Sequence, residues 1–297
     1  MHRPQGYRCA LVPGAIILTT VRAQSIAARR EMKVHIVVCV KQVPDWDIPP
    51  ASFKVDEAAK KVVPPPGVAS VTSQFDAIAV EAAMRIKDAD ASAKVTIMSL
   101  GAATAREVIK QGLAMGADDG VLIVDDAFSN LDSNGVATVL SAAVKQLGDV
   151  DLVLTGRQAV DWDFGVTGTL IAQMIGAPVV TFAKSVTVAG GNVTVQRVLP
   201  DAVETIEAPL PAVVTVSNEL GEPRYPKLQQ IMAAGKKPVA NFSAADLGLD
   251  AGALAPRLTL ESLYVPVVDS KVELMEGDTP EEQAANLAKR LKEAKLI

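Results

Sequence analysis

Short apolar runs alternate with segments of helical period through most of the chain. Lys33–Val40, Lys94–Leu100, Gly120–Val124 and Asp151–Leu154 read as strands, with the apolar interiors expected where both faces of a sheet are covered. Between them, Phe75–Lys87 places Ile78, Ala79, Ala82, Ala83 and Ile86 at helical spacing. Ala103–Met115, Ser133–Leu147 and Val166–Ile175 read as further helices, stopped by Gly116, Gly148 and Gly176. Repeated strand–helix alternation of this kind predicts an α/β fold, a parallel sheet with right-handed crossovers.

After Pro178 the pattern changes. Val179–Val188 and Asn192–Val198 flank Gly190-Gly191, which predicts a β-hairpin insertion, and Val203–Ile206 adds a strand ahead of the buried run Ala212–Val216. That run ends in a polar loop in which Pro223 and Pro226 oppose both helix and ladder. The loop reads as a stiff projection with one bare apolar residue, Leu220, between Glu219 and Gly221. Two readings stand: an ordinary strand-to-helix connection, or a docking loop whose leucine a partner's apolar pocket would grip. A short helix, Gln229–Ala234, follows, and Gly235-Lys236-Lys237-Pro238 closes the compact part. Beyond it the chain reads as an extended arm through Pro256 and Pro266. The arm ends in a helix, Pro280–Leu296, opened by Asp278/Thr279 and Glu281-Glu282 and closed by lysines.

Composition narrows the class. With 297 residues, 49% of them hydrophobic, the chain can bury a full core, and its 4% of aromatics suits closely packed helices on a Val-rich sheet. A net charge of −5 without a long basic run gives nucleic-acid binding no electrostatic support. Two cysteines, Cys9 and Cys39, lack framework spacing and point to a reducing, cytoplasmic compartment (the mitochondrial matrix in a eukaryote). Two histidines, His2 and His35, are too few for a multi-His metal site.

Residues 1–31 look foreign to the rest: five arginines, no lysine, and no acid before Glu31. Their apolar patch, Ala10–Val21, is too short to span a bilayer. A signal or transit peptide fits the segment, as does a start assigned too far upstream or a disordered extension. The domain bounds are therefore 32–237 for the α/β unit and 238–297 for the arm.

Gly-x-Gly-x-x-Gly and Gly-x4-Gly-Lys phosphate loops are both absent. In an open α/β sheet, ligands bind at the strand C-termini, and three segments converge there: Val38–Lys41, Ser99–Gly101 and Gly156–Gly168. The last offers small residues and backbone N–H groups just ahead of a helix, suited to a phosphate; the plainer alternative is a glycine-rich turn. Lys41 suits a backbone anchor in such a site better than a catalyst. Asp161 and Asp163 lack the further ligands a metal pair needs, so no metal site and no catalytic residue is assigned.

Three stretches carry a resemblance: Asn218-Glu219-Leu220-Gly221-Glu222-Pro223-Arg224-Tyr225-Pro226, Cys39-Val40-Lys41-Gln42-Val43-Pro44-Asp45 and Gly156-Arg157-Gln158-Ala159-Val160-Asp161. Together they closely resemble electron transfer flavoprotein β subunits, in order and spacing, from Met32 to near the C-terminus. The resemblance implies an adenine-nucleotide-binding (HUP-like) α/β domain and a heterodimer with an α subunit that holds most of the redox FAD. It implies AMP in this chain, or a second FAD in electron-bifurcating relatives. The nucleotide-binding positions are then Cys39, Lys41, Ser73, Gln74, Phe75, Asp76, Leu100, Gly101, Gly156, Gln158, Ala159, Asp161, Gly165, Val166, Thr167 and Gly168. Trp46 would contact the flavin and Arg197 would lie at the subunit interface. Docking of flavin dehydrogenases of the acyl-CoA type would fall to Leu220, Glu222, Pro223, Arg224 and Tyr225, with electrons passing to a quinone-linked oxidoreductase. The chain departs from the family at Gly165-Val166, often Asn-Gln or Ala-Gln, and at Phe164. A stand-alone nucleotide-binding stress-type protein is the alternative of another class, needing neither the loop nor the arm.

Overall fold

The computed structural model describes residues 33–45, 47–267 and 271–297. The readings made for residues 1–31 and for Trp46 lie outside them. Thirteen strands and six α-helices are formed by these residues. In chain order they open with β1 (His35–Cys39), β2 (Gln42–Val43), β3 (Lys54–Asp56), β4 (Lys61–Val63), β5 (Val71–Thr72) and α1 (Gln74–Ala89). β6 (Lys94–Leu100), α2 (Arg106–Met115), β7 (Asp119–Ile123), α3 (Ser133–Leu147), β8 (Leu152–Gly156) and α4 (Thr167–Ile175) continue the alternation. β9 (Val179–Ala189), β10 (Asn192–Val198), β11 (Val203–Pro209), β12 (Ala212–Val216), α5 (Leu228–Ala234), β13 (Val239–Phe242) and α6 (Pro280–Glu293) complete the chain.

A nine-stranded sheet runs in the order β11-β10-β9-β12-β8-β1-β6-β7-β13. The seven strands from β9 to β13 in that order are parallel to their neighbours, and β10 and β11 extend it antiparallel. Successive side chains serve opposite layers, as a pleated strand requires. In β1, Ile36 and Val38 pack with α1 and α2, while Val37 and Cys39 pack with α3 and α4. Ile78, Ala79, Ala82, Ala83 and Ile86 are the buried stripe of α1, the positions that helical spacing picks out. From β1 the chain moves outward through β6 and β7, then returns to place β8 on the other side of β1. The order reverses there, so the crevice between the C-terminal ends of β1 and β8 is the topological switch point.

Two features go beyond the strand–helix alternation. Between β1 and α1, β2 pairs antiparallel with β5, and β3 pairs with β4. The compact part does not end at Pro238. Val239–Phe242 joins the sheet as an edge strand in register with β7, and Leu247, Leu249 and Leu254 pack on the α3/α4 layer. Strand ladder and apolar contact hold this segment, so the arm begins later than composition suggested.

The described residues divide into two units, one reaching Phe53 and resuming over Pro64–Glu261, the other formed by Lys54–Val63 and Ser262–Ile297. In the second, α6 is capped by Thr279 Oγ1, which accepts from Glu282 N–H at 3.2 Å, and Arg290 pairs with Glu273 at 2.9 Å. Glu281 and Glu282 lie in its first turn and Arg290 and Lys292 in its last, matching the helix dipole. None of its residues is buried within the chain.

Candidate functional site

Beyond the last ladder bond of a strand, backbone N–H groups need a new acceptor. At the β1/β8 crevice that acceptor is Asp76, in the first turn of α1. Its Oδ2 accepts the Lys41 N–H at 2.8 Å and its Oδ1 the Gly156 N–H at 3.0 Å, so one carboxylate ties the end of β1 to the end of β8. Asp76 is buried, and burial pushes its carboxyl up to about 7 against the pull of those two hydrogen bonds. The Ser73 N–H donates to Lys41 O at 2.9 Å, which seats the α1 start beside β1. Gly156 has no room for a side chain: a Cβ would lie 2.6 Å from Asp76 Oδ1 and 2.7 Å from Phe75 Cβ.

Across the crevice, α4 begins with no side-chain cap, leaving its first-turn N–H groups available to an anion. Gly168 sits where a Cβ would meet Thr155 Oγ1 and Thr215 Cγ2 at 2.7 Å, so α4 approaches the ends of β8 and β12 closely. Lys41 Nζ bridges both oxygens of Asp161 at 2.9 and 2.7 Å, and Gln158 Nε2 donates to Asp163 Oδ1 at 2.8 Å. Ser73 Oγ and Ser99 Oγ are buried without a hydrogen-bond partner among the described residues. Such orphaned hydroxyls call for a ligand or water. Unpartnered hydroxyls, small residues and an uncapped helix start fit a nucleotide phosphate or ribose.

Of the positions named from sequence, Lys41, Ser73, Asp76 and Gly156 share direct or one-step contacts; Gln158, Ala159, Asp161 and Gly165–Gly168 form the opposing loop and helix start. Gln74 and Gly101 are exposed, and Phe75 and Leu100 half-buried. Cys39 points into the α3/α4 layer, where burial and then the Asp76 charge push its thiol up to about 12. A neutral core thiol is neither nucleophile nor redox centre. Among the described residues no group of three His, Cys, Asp or Glu could hold a metal ion, and no helix is long and apolar enough to cross a membrane.

The sequence matches the family described as the electron transfer flavoprotein domain over residues 61–247. It is 35% identical to subunit CarD of the caffeyl-CoA reductase–Etf complex of Acetobacterium woodii, over 89% of this chain and all of that relative. It is 36% identical to the electron transfer flavoprotein β subunit of Megasphaera elsdenii, over 73% and 81% of the two chains. It is also 35% identical to that of Bradyrhizobium diazoefficiens, over 73% and 84%. The chain belongs to the electron transfer flavoprotein β-subunit family.

Within a member of this family, the loop after β12 is where structure and expectation part. Leu220 is not bare: it is only 6% exposed. The turn Asn218–Leu220 folds it back onto α1 and β9, where it lines a hollow of about 230 Å³ with Ala82, Ile86 and Val188. Arg85 Nη1 donates to its carbonyl at 2.9 Å. The exposed apolar residues lie downstream: Tyr225 at 96%, Leu228 at 73%, with Ile231 and Met232 beside them. Between these parts Arg224 is clamped to α1, its Nε 2.7 Å from Glu81 Oε2 and its Nη2 2.7 Å from Asp88 Oδ2. Burial pushes Glu81 up, but its hydrogen bonds to Arg224 and Arg85 outweigh that and hold it below the usual range. Glu222 is exposed and Pro223 half-buried.

Sequence reasoning missed Glu81, whose only signal is an acid inside the apolar run Ala79–Ala83. It also missed Arg157, which follows Gly156. Its guanidinium lies 4.7 Å from the centroid of Phe75 and 5.8 Å from that of Phe182. Phe182 holds φ at +58° and donates its N–H to Thr215 Oγ1 at 3.2 Å. A bulky residue in that conformation is strained and kept only by its surroundings. Arg197 makes a long contact to Glu204 at 3.9 Å within the β10/β11 pair.

Proposed function

We propose that this chain is the β subunit of a heterodimeric electron transfer flavoprotein and holds AMP in the β1/β8 crevice. The observation that carries this reading is the crevice itself: a switch-point site, closed by Asp76, with the unpartnered buried hydroxyl of Ser73 beside it and an uncapped helix start facing it. The flavin, bound mainly by the α subunit, supplies the electron chemistry. This chain's residues position rather than react. Asp76 fixes the Lys41 and Gly156 backbone, Gly156 and Gly168 permit close approach, and Thr167 and Gly168 offer N–H groups to the phosphate. No side chain moves a proton in this scheme.

Electrons would arrive from flavin dehydrogenases of the acyl-CoA type and leave toward a quinone-linked acceptor. Because Leu220 is buried, the docking role passes to the exposed face of Tyr225, Leu228, Ile231 and Met232, held in place by the Arg224 clamp. The segment 262–297, with Val267, Leu274 and Leu296 exposed, is the part that would lie on the α subunit. A bifurcating reading, with a second FAD in the crevice, draws on the full-length match to a subunit of a reductase–Etf complex. Family membership weighs against a stand-alone stress-type protein.

The test is to purify the native complex, denature it and quantify released nucleotides. One FAD and one AMP per heterodimer is the expected outcome. Two FAD without AMP would replace it with the bifurcating reading, and a single FAD with no second nucleotide would refute an occupied crevice.

A further inference from the structure

The loop that faces the crevice carries a feature the nucleotide reading does not use. Trp162 and Phe164 stand 43% and 58% exposed, their ring centroids 5.8 Å apart and their planes tilted by 30°. Val166, also exposed, continues the apolar strip to the start of α4. The chain has only two Trp, three Tyr and six Phe, so leaving two such rings open to solvent in one short loop forgoes much burial.

The loop is held firmly. Between the rings, Asp163 takes φ +52°, its N–H donates to Ala159 O at 2.9 Å, and its carboxylate accepts from Gln158 at 2.8 Å. Gly165 follows at φ +64°. A non-glycine residue in the left-handed region persists only where its surroundings over-determine it. These bonds supply that constraint at Asp163, between the two rings. Immediately before the rings comes Asp161, paired to Lys41, and immediately after them the uncapped start of α4. The rings therefore sit, along the chain, between the polar closure of the crevice and its anion-binding end.

We propose that Trp162 and Phe164 form a stacking wall for the adenine ring of the bound nucleotide, the ring system common to AMP and FAD. This inference rests on the nucleotide reading and goes beyond it by naming what holds the base. Stacking uses the π face that every adenine presents, so the wall needs flat apolar rings and no hydrogen-bond donor.

The experiment compares wild-type heterodimer, the Trp162→Ala/Phe164→Ala double variant and Trp162→Phe, each dialysed and then titrated with AMP and with FAD. The nucleotides retained per heterodimer are counted beforehand, which identifies the species. The double variant should bind the second nucleotide about 10- to 100-fold more weakly, as loss of a base stack implies, while Trp162→Phe stays within about threefold of wild type. Both rings are exposed, so neither change threatens the fold. Equal retention by wild type and double variant overturns the wall and leaves the crevice reading standing. A wild-type complex with no second nucleotide overturns both. Failure of the double variant to pair with the α subunit, with AMP affinity unchanged, overturns the wall and makes the rings a subunit contact.

Discussion

Two acids on one helix, Asp76 and Glu81, are both buried and are shifted in opposite directions. At the start of α1, Asp76 meets only backbone N–H groups and a lysine that is itself paired to Asp161, so desolvation prevails. Further along, Glu81 meets the guanidinium groups of Arg224 and Arg85 directly, and full charge outweighs desolvation. The difference separates two tasks. Partial charges on backbone groups set the shape of a crevice, while a charge pair of high pull fastens a surface loop. One helix thus serves as the common beam for the β1/β8 crevice and the loop after β12.

That division can be broken by substitution. In the loop after β12, Leu220→Ala should cost about 3 kcal/mol, as truncation of a buried leucine does, whereas Leu228→Ala should leave stability unchanged and, on the proposed docking role, slow electron transfer from the dehydrogenase. Urea unfolding and stopped-flow transfer rates read the two; transfer slowed by Leu220→Ala in a fully folded sample would restore the original assignment. Arg224→Ala leaves the buried Glu81 charge with Arg85 alone and should cost about 2 kcal/mol, below the usual figure for a buried pair because Arg85 remains and Arg224 is one-third exposed. Nucleotide content should survive it. Asp76→Ala leaves two backbone N–H groups unsatisfied but removes a costly buried carboxyl, a net loss of about 1 to 2 kcal/mol, and this variant should lose the nucleotide.

The smallest effect is in pH. Asp76 titrates near 7 in the fold and near 3.9 unfolded, so its contribution is fullest below about pH 4 and is lost as pH rises toward 7. Glu81 is held below its usual value, so its contribution is present above about 4.3 and is lost as pH falls through its lowered folded value. Melting curves of Asp76→Asn and Glu81→Gln against wild type should therefore diverge with opposite slopes. Parallel slopes would contradict the contrast between the two ends of α1.

Most of the sheet was legible because strands covered on both faces read as apolar runs, and Ala212–Val216 matches to the residue; the partly exposed Asn192–Val198 also matches, read from the Gly190-Gly191 turn before it. β13 was not, since an edge strand of Val-Ala-Asn-Phe is half exposed and carries no such run. The loops of the candidate site were visible in their glycines and small residues. Their closure was not: Asp76 reaches Lys41 and Gly156 across long chain separations that spacing does not encode. Leu220 misled because its polar sequence neighbours suggest solvent, while the short turn carrying it folds the side chain back onto α1 and β9.

The pairing of β2 with β5 has a consequence for how the family can diversify. Gln42 stands opposite Thr72 and Val43 opposite Val71, and the Ser73 N–H is bonded to Lys41 O, so the excursion from 44 to 70 leaves and returns through a fixed gate. Lengthening a loop whose ends are already joined adds little entropy cost, about 0.6 kcal/mol per doubling. Everything outside the gate can therefore be rewritten, lengthened or exchanged between relatives as a cassette. Lys41, Ser73 and Asp76 lie just inside it, so changes beyond the gate can leave their hydrogen bonds in place.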